Sequence, residues 1–300
     1  MTPMRSDETL YSAAARLGRY VGARGRTALQ TAFFGEDGAV FDEMPTGIER
    51  IVASRTFPPI EPADAVREWT LFPYYAHYAH PRLARRAEAA MLGDGTWPHG
   101  ALGSWTGAAT PPDRLRFCRD CLREMVASHG EPWWRRTHQL PSTLVCPAHG
   151  GVLAVSTVDR AARRRAYVPA SPETCPADAG PVVLERDPRV LHDLLTLARQ
   201  GDLVLNDRSD LHPDERREDY LQALDALGML NRLGEAKLPA VADAMRRYWG
   251  TTLRHWPTLW RDERCEQGWL QRLLVGEHGS PPLHHLLLED LLLALLRTRR

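Results

Sequence analysis

The sequence predicts a mainly α-helical protein of two domains, with a small metal-binding module inserted in the first. Three observations lead to this prediction. Apolar residues recur at helical spacing in most segments, two stretches rich in proline or glycine interrupt them, and two pairs of metal-ligand residues lie between those stretches. A length of 300 residues is enough for two domains of ordinary size.

The N-terminal region is predicted to form two helices. Ser6 is expected to cap the first, with Asp7 and Glu8 in its first turn and an apolar face on the residues that follow. A second helix is predicted for 27–34, so the pair is either half of a helix-turn-helix or an ordinary helical hairpin. Three glycines predict the turn between these helices: Gly18, Gly22 and Gly25.

Two irregular segments predict the domain organisation. After a loop at 58–62 and a helix at 63–69, the stretch 93–112 reads as a connector. The four prolines of 168–181 predict a linker between a first domain, 1–167, and a second, 182–300. The second domain shows no alternating strand pattern, so it is predicted to be all-α. Its helices are expected at four places: 188–199, 214–227, 238–249 and 282–296.

The strongest chemical signal is a pattern of two ligand pairs. Cys118 and Cys121 form a C-x2-C pair, and after 24 intervening residues Cys146 and His149 form a C-x2-H pair. Zn²⁺ prefers four tetrahedral nitrogen and sulfur ligands, and a two-residue spacer lets both side chains of a pair reach one ion. Because four protein ligands leave no open position, one structural Zn²⁺ is predicted in a module at about 113–153.

Charge is unevenly distributed although the chain is neutral overall. The stretch 111–170 has ten arginines and five acidic residues, so it is either a phosphate-facing surface or a solvated face with ion partners from elsewhere. In the second domain, 219–227 and 238–249 either form a helix-turn-helix around Gly228 or pack the core. The candidate DNA contacts are Arg114, Arg116, Arg135, Arg136, Arg163, Arg164, Arg165, Arg246 and Arg247.

Several classes of protein are excluded by missing patterns. The chain has no P-loop, no H-E-x-x-H motif and no deaminase signature, so we expect no enzyme. It has neither a signal-peptide layout nor an apolar run of membrane-spanning length, so we expect a soluble, cytoplasmic protein. Cys175 and Cys265 are isolated and read as ordinary thiols. Structural roles are expected for four histidines in apolar surroundings: His77, His80, His284 and His285.

The blocks around the metal-ligand pairs carry a resemblance to a known family. FCRDCLRE at 117–124, WRRTHQLP at 134–141 and VCPAHG at 145–150 resemble the TniQ family, and the start at 7–12 is similar to that family's opening. Arg119 stands where the family usually has proline. The blocks that resemble the TnsD branch of this family lie at 70–75, 268–270 and 282–288.

The resemblance implies a transposition target-selection protein. It implies a helical, helix-turn-helix-like TniQ domain with an inserted zinc module, followed by an all-α TnsD-like domain. The protein would bind double-stranded target DNA or dock on a targeting complex. It would then recruit a TnsC-like AAA+ ATPase regulator and, through it, the transposase.

The alternative is a purely protein–protein scaffold without sequence-specific DNA binding. It would dock on an RNA-guided, Cascade-type effector complex. Its leucine-rich C-terminal helix would be either part of the core or a homodimer interface. The leucines of this face are Leu283, Leu286, Leu287, Leu291, Leu292, Leu295 and Leu296.

Overall fold

Helices dominate the fold, as the sequence predicts. The computed structural model describes residues 3–22, 26–29, 31, 44–93, 102, 112–207, 213–261, 264–265, 267–275 and 279–299. The predicted loop at 58–62 and the helix after it are confirmed, and almost all of the predicted connector at 93–112 lies outside the described residues. The N-terminal helices are α1 (Leu10–Val21), α2 (Arg26–Leu29), α3 (Ile48–Ala53), α4 (Pro62–Trp69), α5 (Phe72–Ala76) and α6 (Pro81–Leu92).

Helix α1 begins later than the sequence suggests. Thr9 caps it, since the Thr9 hydroxyl accepts a hydrogen bond of 3.1 Å from the backbone amide of Ser12. The expected cap at Ser6, with Asp7 and Glu8 in the first turn, is wrong. Asp7 has a φ of 56° and Glu8 lies in an isolated β-bridge, so both belong to the irregular segment that precedes the helix.

Gly22 ends helix α1, whereas Gly18 lies buried inside it. Gly22 adopts a φ of 67°, the left-handed conformation in which a helix commonly stops. Helix α2 covers the start of the predicted helix at 27–34, and most of the remaining stretch lies outside the described residues. The helix-turn-helix interpretation of this region therefore stays a prediction.

A two-stranded antiparallel sheet brackets the segment that carries the cysteine pairs. Phe117 on the first strand pairs with Ala154 on the second, so the two ends of the predicted module lie side by side. The second strand begins just after residue 153, the predicted end of the module, and is followed by a short, arginine-rich helix. The elements are β1 (Arg114–Phe117), α7 (Arg119–His129), a 3₁₀ turn (Thr137–Gln139), β2 (Ala154–Asp159) and α8 (Arg160–Arg165).

The C-terminal part is helical at all four predicted places. One further α-helix, α12, was not predicted. A pair of antiparallel strands of two residues each was not predicted either, so the expectation of no strands here is wrong. Strands this short carry too few residues for an alternating pattern to be visible. The elements are α9 (Pro188–Asn206), α10 (Pro213–Ala226), α11 (Leu238–Trp249), a 3₁₀ helix (Gly250–His255), β3 (Trp260–Arg261), β4 (Arg264–Cys265), α12 (Gln267–Val275) and α13 (Pro282–Thr298).

The predicted linker, 168–181, contains no helix and is bonded to β2. The amide of Val155 donates to the carbonyl of Gly180 at 2.9 Å, and the amide of Thr157 donates to the carbonyl of Thr174 at 3.0 Å. One cluster of buried apolar side chains extends from α1 to α13. The domain boundary drawn from the prolines of this segment stays a prediction.

The connection between α10 and α11 differs from a helix-turn-helix. It runs over 227–237 and contains an isolated β-bridge between Leu230 and Ala236. A helix-turn-helix joins its helices by a turn of about three or four residues. The connection is therefore a small hairpin-like loop, and Gly228, with a φ of 70°, provides only its first bend.

The leucine-rich face of α13 lies in the core of the chain. Leu283, Leu287 and Leu291 are each 0% exposed, and Leu295 and Leu296 are half-buried against the same core. Of the two roles considered for this face, packing within the chain is the one the structure supports. Among the described residues, no helix is both long and apolar enough to cross a membrane.

A polar junction joins α10 and α13 to the end of α5. The Glu289 carboxylate accepts hydrogen bonds from the hydroxyl of Tyr220 at 2.6 Å, the hydroxyl of Tyr78 at 3.0 Å and the guanidinium of Arg216 at 3.2 Å. His285 stacks on Tyr78, with ring centroids 4.1 Å apart. The two parts of the chain are thus connected by directional bonds as well as by apolar packing.

Candidate metal centre

The junction of β1 and α7 positions the first pair of cysteines. Cys118 is the N-terminal cap of α7, and Cys121 lies in the first turn of that helix. The amide of Leu122 donates to the carbonyl of Cys118 at 3.0 Å, which fixes the change from strand to helix. Both thiols are buried.

A tight turn positions Cys146 and His149. The amide of Gly150 donates to the carbonyl of Cys146 at 2.7 Å, and the amide of Cys146 donates to the carbonyl of Gly151 at 2.8 Å. Gly150 has a φ of 69°, a conformation that glycine adopts without a Cβ clash. The turn brings the second ligand pair against the first.

The four donor atoms lie within 4.8 Å of one another. The Sγ of Cys121 is 3.6 Å from the Sγ of Cys146 and 3.3 Å from the Nδ1 of His149. The Nδ1 of His149 is also 3.6 Å from the sulfurs of Cys118 and Cys146. Around a tetrahedral Zn²⁺, ordinary bond lengths separate two sulfurs by about 3.8 Å and sulfur from nitrogen by about 3.6 Å. The donor set therefore fits a single tetrahedral metal ion.

Hydrogen bonds favour the thiolate form of Cys118. The pKa of its thiol is lowered first by hydrogen bonds from the thiols of Cys121 and Cys146, and then by the backbone amides of Cys121 and Asp120. In addition, the Nη1 of Arg135 lies 3.4 Å from the Sγ of Cys121. The same hydrogen bonds raise the pKa of the Cys121 and Cys146 thiols, because those thiols are the donors. One thiolate is therefore favoured before metal binds, and binding of a metal ion would release the protons of the other two.

His149 is oriented by a carboxylate on α7. Its Nε2 lies 2.9 Å from the Oε1 of Glu124, while its Nδ1 faces the sulfurs. When Nε2 carries the proton, it donates a hydrogen bond to Glu124, and the lone pair of Nδ1 is free to bind an ion. A carboxylate behind a metal-binding histidine fixes the ring orientation in this way and strengthens the ligand.

Apolar side chains enclose the inner side of the site. Met125, Trp133 and Leu153 pack with the three cysteines in a cluster separate from the main core. Four other apolar residues between the ligand pairs belong to the main core instead. They are Trp134, Leu140, Leu144 and Val145.

His138, which lies between the two ligand pairs in the sequence, is a buried group. It is 2% exposed, and its Nε2 lies 3.9 Å from the Sγ of Cys121. Burial, reinforced by the charge of Arg135, lowers the pKa of His138 to about 4. The ring is therefore neutral at pH 7 and does not add positive charge to the module.

Three of the nine arginines predicted to contact DNA point inward, which corrects that part of the prediction. Arg136 is 4% exposed, Arg163 is 2% exposed and Arg116 is half-buried. Each guanidinium donates to two backbone carbonyl groups. Burial also lowers the pKa of Arg116 to about 10. These side chains stabilise the fold of the basic segment and are not available to phosphate.

The other six arginines are at least partly accessible. Arg135 is half-buried and forms an ion pair with Asp7, its Nε lying 2.8 Å from the Oδ2. At the Arg114–Asp159 end of the two-stranded sheet, the backbone amide of Ala162 and then the charges of Arg114 and Arg165 lower the pKa of the Asp159 carboxyl. The exposed arginines fall at this end of the sheet and at the end of α11: Arg114, Arg164, Arg165, Arg246 and Arg247. Arg114 also donates to the carbonyls of Ser156 and Thr157, and Arg246 pairs with Asp243.

The isolated cysteines and histidines take no part in the site, as expected where they are described. Cys175 is buried, and burial raises the pKa of its thiol to about 12. The side chain of Cys265 lies outside the described residues. His284 and His285 are buried in α13, and the Nδ1 of His80 accepts the amide hydrogen of Arg82 at the start of α6.

Two carboxylates beside this site are not among the residues predicted from the sequence. Glu124 lies three residues after Cys121 on a helix, so the helical spacing is a signal that was available for its position. Asp7 gave no such signal, because it is 128 residues from Arg135 along the chain. Its place beside the module follows only from the tertiary structure.

Known proteins share the region that builds this site. A family model described as TniQ matches residues 2–153, about half of the chain. The chain is also similar to the transposon Tn7 transposition protein TnsD of Escherichia coli, with 30% identity over 155 residues. That alignment covers 49% of this chain and 30% of the relative's length. The matched region includes the N-terminal segment and all four metal-ligand residues, and the chain belongs to the TniQ family.

Proposed function

We propose that the protein is a target-selection adaptor in DNA transposition. The observation that supports this most directly is the family match over 2–153, together with the similarity to a transposition protein. The adaptor recognises an insertion site by binding target DNA or a complex already bound there. It recruits a TnsC-like AAA+ ATPase regulator, which brings the transposase. Its own part is recognition and recruitment, and it makes and breaks no bonds.

We further propose that the metal ion is a structural Zn²⁺. Three thiolates and one imidazole are a typical donor set for this ion, and the spacing of the donors fits its tetrahedral geometry. The ion would hold the start of α7 and the turn at Cys146 in one rigid module. Four protein ligands complete its coordination, so water and substrate have no open position.

Three exposed arginines at one end of the two-stranded sheet are the proposed phosphate contacts. Arg114 begins β1, and Arg164 and Arg165 end α8, at the opposite end of the sheet from Cys118. Arginine binds phosphate oxygens with a planar, multidentate group, which suits it to a nucleic-acid backbone. Arg246 and Arg247, at the end of α11, form a second proposed patch.

A salt titration tests the first patch. We expect the triple variant Arg114→Gln, Arg164→Gln, Arg165→Gln to bind duplex DNA more weakly, with a smaller dependence of log K on log salt. Each lost phosphate contact should reduce the slope by about 0.9. A matched variant replaces the exposed Arg123, Arg186 and Arg254, which lie apart in the sequence, and should keep the slope. Equal slopes for both triple variants would remove this patch from the proposal.

The competing function is a scaffold that binds only proteins and docks on an RNA-guided, Cascade-type complex. The burial of Arg116, Arg136 and Arg163 favours it, because it leaves a smaller basic surface than the sequence suggests. A pull-down with the ATPase regulator, with and without target DNA, distinguishes the two functions. The adaptor proposal predicts retention that increases with DNA. DNA-independent retention supports the scaffold, and no retention in either condition contradicts both.

A further inference from the structure

A guanidinium bridges the metal centre and the N-terminal segment. Arg135 places its Nη1 3.4 Å from the Sγ of Cys121 and its Nε 2.8 Å from the Oδ2 of Asp7. Its side chain is 26% exposed and that of Asp7 is 14% exposed, so both groups are largely withdrawn from water. The Arg135 guanidinium therefore contacts a candidate metal-ligand sulfur on one side and a carboxylate on the other.

Asp7 is held in place by more than this ion pair. Its Oδ2 also accepts the hydroxyl hydrogen of Thr137 at 2.8 Å, and its Oδ1 accepts the amide hydrogen of Thr137 at 3.2 Å. Its backbone carbonyl accepts the amide hydrogen of Arg136 at 2.7 Å. Asp7 adopts these contacts with a φ of 56°, which is uncommon for a residue other than glycine. The surrounding bonds thus determine a backbone conformation that is unfavourable by itself.

The rest of residues 3–9, the N-terminal segment, also lies on the module. The indole of Trp133 donates to the carbonyl of Ser6 at 3.2 Å, and the same ring packs with the cysteines. The amide of Thr9 donates to the carbonyl of Trp134 at 3.2 Å, next to the start of α1. A change at the metal centre can therefore reach α1 through Trp133 and through Arg135.

We propose that Arg135 and Asp7 are outer residues of the metal centre, and that binding of the ion is coupled to docking of the N-terminal segment. This inference rests on the proposed Zn²⁺ site. A divalent ion with three thiolates and a neutral imidazole has a net charge of −1. Arg135 compensates that charge from 3.4 Å, and Asp7 keeps the flexible arginine side chain in position to do so. In return, the occupied site gives Arg135 an anionic partner that keeps Asp7 docked.

Substitution of Asp7 by asparagine separates positioning from simple electrostatics. Zn²⁺ displaces the thiol protons as it binds, so with at most one thiolate in the empty site the loaded site is equally or more negative. Removing a nearby negative charge would therefore by itself leave the affinity for Zn²⁺ unchanged or higher. Loss of positioning predicts the opposite, an affinity about 10- to 100-fold lower, the usual effect of an outer carboxylate. Competition of the full chain with a zinc chelator measures this affinity. Asp178→Asn, at an exposed position, is the matched control and should match the wild type.

Amide exchange of the zinc-loaded protein tests the reverse direction of the coupling. We expect Arg135→Gln to speed exchange at the amides of Thr9 and Arg136, which bond across the contact between segment and module. The amide of Leu122, inside the module, should keep its protection. Thermodynamic linkage requires that the factor by which zinc strengthens docking, measured from exchange of these amides in the zinc-free and zinc-loaded wild type, equals the factor by which docking strengthens zinc binding.

The outcomes distinguish this inference from the proposal on which it rests. If the wild type binds no zinc, the proposed metal site fails. If it binds zinc and Asp7→Asn binds equally well, only the coupling fails. Should Asp7→Asn not fold, Arg135→Gln provides the same comparison, and a wild-type zinc affinity for that variant would overturn the inference.

Discussion

Each ligand side chain of the metal centre contributes one of four donors, so a single substitution opens a closed site. We expect Cys118→Ser to lose the ion at chelator concentrations that the wild type withstands. It should also melt at a lower temperature, because metal-binding energy is folding energy in a module of this size. Differential scanning calorimetry with and without added zinc measures both effects.

The matched control is Cys175→Ser, which also changes a buried thiol but lies outside the site. Its melting temperature should not depend on zinc beyond the dependence of the wild type. A zinc dependence that is equal for the wild type, Cys118→Ser and Cys175→Ser would show that Cys118 is not a ligand.

Buried histidines predict a loss of stability in acid. Burial, with a smaller contribution from Arg272, lowers the pKa of His284 to about 3, whereas an unfolded chain has a pKa of about 6.5. Between these values the unfolded state binds more protons, so this stabilisation is complete above pH 6.5 and declines as the pH falls toward 3. His284→Gln should therefore lose less stability per pH unit below pH 6, by up to about 1.4 kcal/mol.

Urea unfolding of the wild type and His284→Gln at pH 7, 6 and 5 measures this difference. Comparing the two proteins cancels the acid sensitivity of the metal centre, which both share. Parallel decreases in the free energy of unfolding would contradict a neutral, buried His284 in the native state.

Helix α9 lies close to Ser142 at Gly201, which has the least room for a Cβ among the glycines of the described residues. A Cβ placed on Gly201 of this helix would lie 2.5 Å from the Oγ of Ser142. Overpacking of this kind costs about 1–3 kcal/mol, more than the gain of up to about 1 kcal/mol from replacing glycine in a helix. We therefore expect Gly201→Ala to destabilise the protein in chemical unfolding, and adding Ser142→Ala to restore stability.

Gly268→Ala is the control, since Gly268 is also helical but a Cβ there would meet only Arg272, at 3.8 Å. It should be neutral or stabilising. A Gly201→Ala variant that behaves in the same way would show that α9 does not approach Ser142 so closely.

Sequence patterns identified the elements better than their ends and connections. The four C-terminal helices and the cysteine quartet have short-range signals, namely apolar periodicity and a two-residue ligand spacing. The start of α1 was misplaced because Ser6 and Thr9 both satisfy the local rule for a cap. Contacts such as those of Asp7 with Thr137 and Arg135 hold the residues before Thr9 outside the helix, and these contacts are invisible in the local sequence.

At the scale of the whole molecule, the junction around Glu289 connects α5 to α10 and α13. The side chains of Glu289 and Arg216 are 27% and 11% exposed. Breaking a largely buried ion pair leaves the other charge without a partner, so Glu289→Gln should destabilise the protein by about 2–3 kcal/mol. Asp243→Asn, which breaks an exposed pair with Arg246, should stay within about 1 kcal/mol. Equal effects in chemical unfolding would contradict the junction.

The positions of the arginines show why the charge pattern of the sequence predicts the basic surface only in part. The sequence segment does have an excess of positive charge, but the guanidinium groups of Arg136 and Arg163 donate to backbone carbonyls inside the fold. The sequence does not distinguish the buried Arg163 from the exposed Arg164 and Arg165 that follow it, because burial depends on residues far away in the chain. The basic surface that remains is accordingly small and local.

The proposed function depends most on a closed metal centre that shapes a recognition module. X-ray absorption spectroscopy of the purified full chain, combined with elemental analysis, tests it directly. We predict one zinc per chain, surrounded by three sulfurs at about 2.3 Å and one nitrogen at about 2.0–2.1 Å. A folded chain without metal, or a zinc shell dominated by oxygen, would contradict the account.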